Sequence, residues 1–138
     1  MLVQAGQRGY VETILGRRRY FPELATDARV DTNTRRRAER EAINAPIQGS
    51  AADITKVAMI RLHRALADRG LASRMLLQVH DELLLEVPEG ELPEVADLTG
   101  ATMRRAVDLA VVLEVDLSVG HNWADLEPYS EWRGRPTL

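Results

Sequence analysis

Apolar and polar positions change rhythm several times along this chain, and each change marks an element. Residues 9–15 are rich in β-branched and aromatic types, Gly16 punctuates them, and Arg17-Arg18-Arg19-Tyr20-Phe21-Pro22 follows. This predicts a short hairpin with a basic turn. Residues 1–7 read as the end of a helix, and residues 25–33 as a polar loop. The alanine- and arginine-rich residues 34–45 predict a helix that bends or breaks at Pro46, which lacks an N–H and whose ring crowds the carbonyl of Ala42. A second helix is expected from about residue 47 to Asp68, with Ile54, Val57, Ala58, Leu62 and Ala65 as its apolar stripe and Gly70 as its terminator.

Residues 75–79 and 83–87 are nearly continuous apolar runs around His80-Asp81-Glu82, a pattern that predicts a buried hairpin with charges at its tip. Residues 91–108 read as a helix. Residues 111–119 alternate in part and read as an edge strand with one wet face, Trp123 packing at its end. The polar residues 127–138 are expected to be a loose tail. The predicted class is α+β: a single partial domain, one piece of a larger one, over residues 1–138, in which an antiparallel sheet, made of the second hairpin and the C-terminal strand, is packed by helices.

Composition narrows the chemistry. At 138 residues and 45% hydrophobic the chain can bury a core. It has no cysteine, which excludes disulfides, thiolate zinc sites and a cysteine nucleophile. No stretch approaches the roughly 20 apolar residues of a membrane helix, and the first residues lack the order of a signal peptide. A cytoplasmic protein without membrane partners is expected. The net charge of −3 conceals a division: residues 1–74 hold 14 basic and 8 acidic side chains, net +6, whereas residues 75–138 hold 4 and 13, net −9. Such a split suits one surface for phosphates and another for metal or solvent; helix faces solvated with opposite sign would look the same.

Two constellations carry candidate chemistry. At the hairpin tip, Asp81 is the best candidate ligand for a hard cation such as Mg²⁺, Glu82 is its neighbour, and His80 can donate to a phosphate, sugar or base. Neighbouring strand residues face opposite ways, so both acids reach one ion only if the turn rotates one of them. A merely solvated turn fits the spacing too. Arg36, Arg40, Asn44 and Gln48 recur at intervals of four and share one helix face. Amide and guanidinium donors in such a row match the purine N3 and pyrimidine O2 acceptors of the DNA minor groove, independently of sequence. Arg17, Arg18 and Arg19 would add contacts to phosphates. An exposed helix face with capping side chains is the alternative. Arg37 and Glu41 are spaced as a structural ion pair, and Ser50 with Asp53 stands at capping-box spacing, which points to a structural role for Asp53.

Three segments, in order, resemble the family A (DNA polymerase I-type) bacterial DNA polymerases: Gly9-Tyr10-Val11-Glu12-Thr13 with Leu15-Gly16-Arg17-Arg18-Arg19-Tyr20; Asn44-Ala45-Pro46-Ile47-Gln48-Gly49-Ser50-Ala51-Ala52-Asp53-Ile54; and Met75-Leu76-Leu77-Gln78-Val79-His80-Asp81-Glu82-Leu83. The similarity runs from about Gly9 to Trp123, and the third segment looks like motif C of the polymerase palm. The resemblance implies that the chain is the C-terminal part of a palm. It implies that Asp81 binds the two catalytic Mg²⁺ ions, that Glu82 is an auxiliary acid, and that His80 contacts the primer terminus. It implies that Arg40, Asn44 and Gln48 touch the minor groove of primer–template DNA. The implied reaction is nucleotidyl transfer, attack of a primer 3′-hydroxyl on the α-phosphate of a deoxynucleoside triphosphate.

The Asp-Tyr-Ser-x-Ile-Glu string of the family's motif A does not occur in these 138 residues, nor does the fingers helix whose Arg and Lys grip the triphosphate. The expectation is therefore a chain inactive by itself, with deoxynucleoside triphosphates as partners only where motif A and the fingers are supplied. A non-catalytic duplex DNA-binding module and a truncated gene relic are the alternatives.

Overall fold

A computed structural model describes residues 2–132, which divide into two compact units between Ile54 and Thr55. The class is α+β, with helices and small antiparallel sheets. The expected single domain is thus described as two units, and the boundary falls inside one long helix.

The first unit opens with helix α1 (Leu2–Arg8), followed by strands β1 (Tyr10–Glu12) and β2 (Arg18–Tyr20) in antiparallel register, Tyr10 opposite Tyr20 and Glu12 opposite Arg18. This is the predicted first hairpin. A 3₁₀ turn (Pro22–Leu24) leads into helix α2 (Thr32–Asp68). Asp31 caps α2: its Oδ1 accepts the N–H groups of Asn33 at 2.9 Å and Thr34 at 3.1 Å, and its Oδ2 accepts the Thr34 hydroxyl at 2.6 Å. The helix therefore starts before the expected residue 34. Ala5, Val11, Phe21, Leu24, Ala38 and Ala42 bury one another, with Ala45 packed against them.

The expected break at Pro46 does not occur, because α2 is one helix with Pro46 inside it. Proline costs a helix interior about 3 kcal/mol through the lost rung and the ring clash. Burial of Ala38 and Ala42 before it opposes that cost.

In the second unit α2 runs on to Asp68 and stops as predicted. Gly70 takes φ 66°, its N–H donates to the Ala67 carbonyl at 3.0 Å, and the Leu71 N–H donates to the Leu66 carbonyl at 3.1 Å. This is a Schellman cap. Strands β3 (Arg74–Val79) and β4 (Glu82–Glu86) form the second predicted hairpin, with a bulge between Met75 and Leu77. Helix α3 (Leu92–Arg104) follows and ends before the expected residue 108. Leu62, Leu66 and Val95 form the core, and Leu71, Leu83, Leu85, Val87 and Leu98 pack on it. Of the predicted stripe on α2, Ala58 and Leu62 are buried, while Ile54, Val57 and Ala65 are half-buried.

Several expectations about this unit are corrected. The second hairpin is not buried on both faces, because Leu76 and Leu77 are about half exposed, 50% and 48%. Residues 111–117 form no strand; only β5 (Ser118–Val119) does, where it pairs with β6 (Glu127–Pro128). A strand forms only where a ladder partner exists. The C-terminal strand consequently does not join the β3–β4 sheet, and among the described residues of both units there are three two-stranded sheets. Residues 127–132 are not a loose tail: after β6 comes helix α4 (Tyr129–Trp132), where Tyr129 is buried and its N–H donates to the Leu117 carbonyl at 2.8 Å. Residues 133–138 of that expected tail lie outside the described residues. Trp123, expected to pack at a strand end, is half exposed.

Candidate functional site

The residues singled out from sequence divide between the units. Arg17, Arg18, Arg19, Arg40, Asn44 and Gln48 belong to the first, and His80, Asp81 and Glu82 to the second.

In the first unit Arg40, Asn44 and Gln48 occupy successive turns of α2 and are exposed. Their spacing of four puts them on one face. Among the described residues none of their side chains makes a hydrogen bond or ion pair within the chain. Arg17, Arg18, Arg19 and Arg37, by contrast, are engaged. Arg37 donates from Nε to Glu41 Oε1 at 2.9 Å, the predicted pair, and Arg19 Nη2 meets Glu41 Oε2 at 2.6 Å. Hydrogen bonding from Arg37 first, and the charge of Arg19 in addition, hold the Glu41 carboxyl below its ordinary range. Arg18 Nε donates to Glu12 Oε1 at 2.8 Å across the hairpin, and its guanidinium lies 4.5 Å from the centre of the Tyr10 ring. Arg19 stands 5.2 Å over Phe21.

Arg17 is held most fully. Its Nε and Nη2 both reach Asp53 Oδ1 at 2.9 Å, and Nη2 also donates to the Gly49 carbonyl at 3.0 Å. The Thr13 hydroxyl donates to Asp53 Oδ2 at 2.5 Å and accepts the Arg17 N–H at 3.1 Å. The Asp53 side chain is only 8% exposed. Sequence spacing pointed to a structural Asp53 near a helix start. The structure places Asp53 inside α2 instead, with partners in the β1–β2 turn. That pairing spans 36 residues and leaves no local periodic signal.

In the second unit His80 and Asp81 are the two loop residues between β3 and β4, since Val79 pairs with Glu82. His80 takes φ 55°, a backbone region in which histidine is enriched among non-glycine residues, and its carbonyl accepts from Gln78 Nε2. Asp81 sits in the turn and Glu82 at the first position of β4; all three side chains of the tip are exposed. The base of the hairpin is fastened by a residue that sequence reasoning missed. Glu91 accepts the Ala72 N–H at 2.8 Å, the Ser73 N–H at 2.9 Å and the Ser73 hydroxyl at 2.6 Å. The Ser73 hydroxyl above all holds the Glu91 carboxyl below its ordinary range. Among the described residues no group of three His, Asp or Glu side chains is placed to hold a metal ion, and no helix is long and apolar enough to cross a membrane.

Comparison with known proteins gives a consistent picture. The family model described as DNA polymerase family A matches residues 1–125. DNA polymerase I of Chloroflexus aurantiacus is 52% identical over 124 residues, covering 88% of this chain and 13% of that protein. The enzyme of the same name from Mycobacterium tuberculosis is 54% identical over 120 residues, 87% of this chain and 13% of its own length. The thermostable DNA polymerase I of Thermus thermophilus is 52% identical over 122 residues, 88% of this chain and 14% of that one. Among solved structures, the POL domain of Pol1 from M. smegmatis, in complex with DNA primer-template and dNTP, matches with a TM-score of 0.77 and 56% identity over 82% of this chain and 19% of that chain. The chain spans 13–14% of the length of these curated relatives. A family model that covers 125 of 138 residues, with relatives more than half identical along most of the chain, makes this chain a member of family A of the DNA polymerases.

Proposed function

We propose that this chain supplies duplex-holding and metal-binding side chains for DNA-templated DNA synthesis, and that it does not polymerise by itself. The observation that carries the proposal is the open row on α2. Arg40, Asn44 and Gln48 are exposed on consecutive turns with their donors unspent, whereas Arg19 and Arg37 are both paired with Glu41. Such a row complements the minor-groove acceptors of a base-paired duplex whatever its sequence. A primer–template partner accords with the M. smegmatis relative, whose structure is a complex with primer-template and dNTP. Arg18 and Arg19, each with at least half its side chain exposed, add phosphate-directed charge at the rim.

At the hairpin tip, Asp81 acts as the metal ligand of motif C, Glu82 as the auxiliary acid, and His80 as a donor to the primer end. Mg²⁺ is commonly held by one or two carboxylates plus substrate phosphates and water. An exposed carboxylate on a two-residue turn fits one place in such a shell and does not enclose an ion. When bound, the metal supplies charge neutralisation at the reacting phosphate. The chain's own part is to hold Asp81 on a braced hairpin and to grip the duplex through α2. A clamp for two cations and a triphosphate needs further carboxylates and cations, so deoxynucleoside triphosphates bind productively only where motif A and the fingers are also supplied.

Two measurements on the purified chain test this. Fluorescence anisotropy with a labelled duplex should show salt-sensitive binding that is lost when Arg40, Asn44 and Gln48 are all changed to alanine; no binding by the unaltered chain would end the duplex reading. Primer extension with Mg²⁺ and all four nucleotides should yield no product, and robust extension would defeat the claim of inactivity.

A further inference from the structure

The turn at residues 13–17 reaches α2 at a specific place. The Ile14 N–H donates to Ser50 Oγ at 2.9 Å, and the same hydroxyl donates to the Pro46 carbonyl at 2.5 Å. Arg17 donates to the Gly49 carbonyl, and Thr13 and Arg17 together hold Asp53. A methyl group at position 49 would come within 2.5 Å of Thr13 Cγ2, so glycine is what lets the turn sit this close. These contacts bracket Gln48 on both sides. They fall just after Pro46, where the rung from residue 46 to the Ala42 carbonyl is missing and the helix is most easily bent. A bend there would move Gln48 relative to Arg40 and Asn44.

A nearly buried aspartate is a poor choice if stability alone is served. Removing a charge from water costs several kcal/mol, and a well-packed apolar residue often does as well as a buried ion pair. What this arrangement adds is direction: the two forked donors of Arg17 on Oδ1 and the Thr13 hydroxyl on Oδ2 fix the angle between turn and helix.

We propose that Arg17 and Asp53 are positioning residues for the groove-reading row. The pair locks α2 across its proline so that Gln48 stays in line with Arg40 and Asn44, and Arg17 is not itself a phosphate contact. This rests on the duplex-binding reading above and gives Arg17 a role different from that of Arg18 and Arg19.

The sign of one substitution separates the alternatives. Were Arg17 a phosphate contact restrained by Asp53, Asp53→Asn would release its charge and tighten duplex binding. A positioning pair predicts the reverse, weakening of about tenfold, on the scale of coupled residues. The effect must also run through the row, so Asp53→Asn should cost little further affinity in a chain already carrying Asn44→Ala and Gln48→Ala. Anisotropy on the full 138-residue chain reads both, with circular dichroism confirming the fold. If Asp53→Asn does not fold, Arg17→Lys serves instead. It keeps the charge that a phosphate contact needs but loses the fork, and should weaken binding with an unchanged salt slope. Tighter binding by Asp53→Asn, full binding by Arg17→Lys, or an Asp53→Asn penalty that persists undiminished in the Asn44→Ala, Gln48→Ala background would each overturn the proposal. Absence of duplex binding by the unaltered chain overturns the duplex reading itself and this inference with it, and is recognised without any variant.

Discussion

Thr13 and Gly49 touch so closely that the pair admits one methyl group and not two. Thr13 Cγ2 fills the space that a Cβ at position 49 would take, at 2.5 Å, while the Thr13 hydroxyl remains on Asp53. Gly49→Ala should therefore destabilise the chain by about 1–3 kcal/mol, as overpacking does. Thr13→Ser removes the offending methyl and keeps the hydroxyl. The double variant Thr13→Ser, Gly49→Ala should recover most of the loss in urea denaturation; a double variant as unstable as Gly49→Ala would show that the contact is not the cause.

The end of α2 offers a second test. Gly70 sits at φ 66°, where a side chain costs roughly 1–2 kcal/mol. Gly70→Ala should lower stability by about that amount, and Gly70→Asn by less, because asparagine tolerates the left-handed region better. Equal thermal midpoints for the three proteins would contradict the Schellman cap.

Acid should loosen the fold through two carboxylates. Asp31 is lowered chiefly by the Thr34 hydroxyl and then by backbone N–H groups, and Glu91 chiefly by the Ser73 hydroxyl and then by the Ala72 N–H. Each titrates lower when folded than when unfolded, so protonation favours the unfolded chain. Their contributions are present above the ordinary values of 3.8 and 4.5 and disappear as pH falls through the lowered ones. Urea midpoints measured downward from pH 6 should begin to drop near 4.5, and Glu91→Gln should flatten part of that drop. A profile unaltered by Glu91→Gln would remove Glu91 from the account.

Within the proposed groove-reading row, charge and amide are distinguishable by salt. Arg40→Ala should weaken duplex binding and reduce the slope of log K against log salt by about 1. Gln48→Ala should weaken binding at every salt concentration and leave the slope alone. A slope change on Gln48→Ala, or none on Arg40→Ala, would reverse the roles assigned to them.

The parts of the fold that were legible in sequence are those set by local chemistry. Gly16 and Gly70 punctuate where expected, both hairpins form, and the Arg37–Glu41 pair stands as its spacing implies. The candidate site was legible to the same depth: Asp81 on a turn follows from the apolar runs that flank it, and Arg40, Asn44 and Gln48 on one helix face follow from their spacing of four. Illegible were the outcomes decided by distant partners. Pro46 reads locally as a break, yet the burial of Ala38 and Ala42 carries the helix through. Residues 111–117 alternate like a strand, yet only Ser118 and Val119 find a ladder.

By itself, then, the order of residues determined the caps, turns, helix faces and basic character of the first half, because these depend on neighbours within a few positions and on charge that no fold can alter. Only the tertiary structure decided that Arg17 belongs to Asp53, that Ser73 belongs to Glu91, and that Ser118 and Val119 pair with Glu127 and Pro128 rather than with the hairpin. Hydrogen bonds are short-ranged and directional, so which distant donor meets which acceptor is settled only when packing brings the two within about 3 Å of each other.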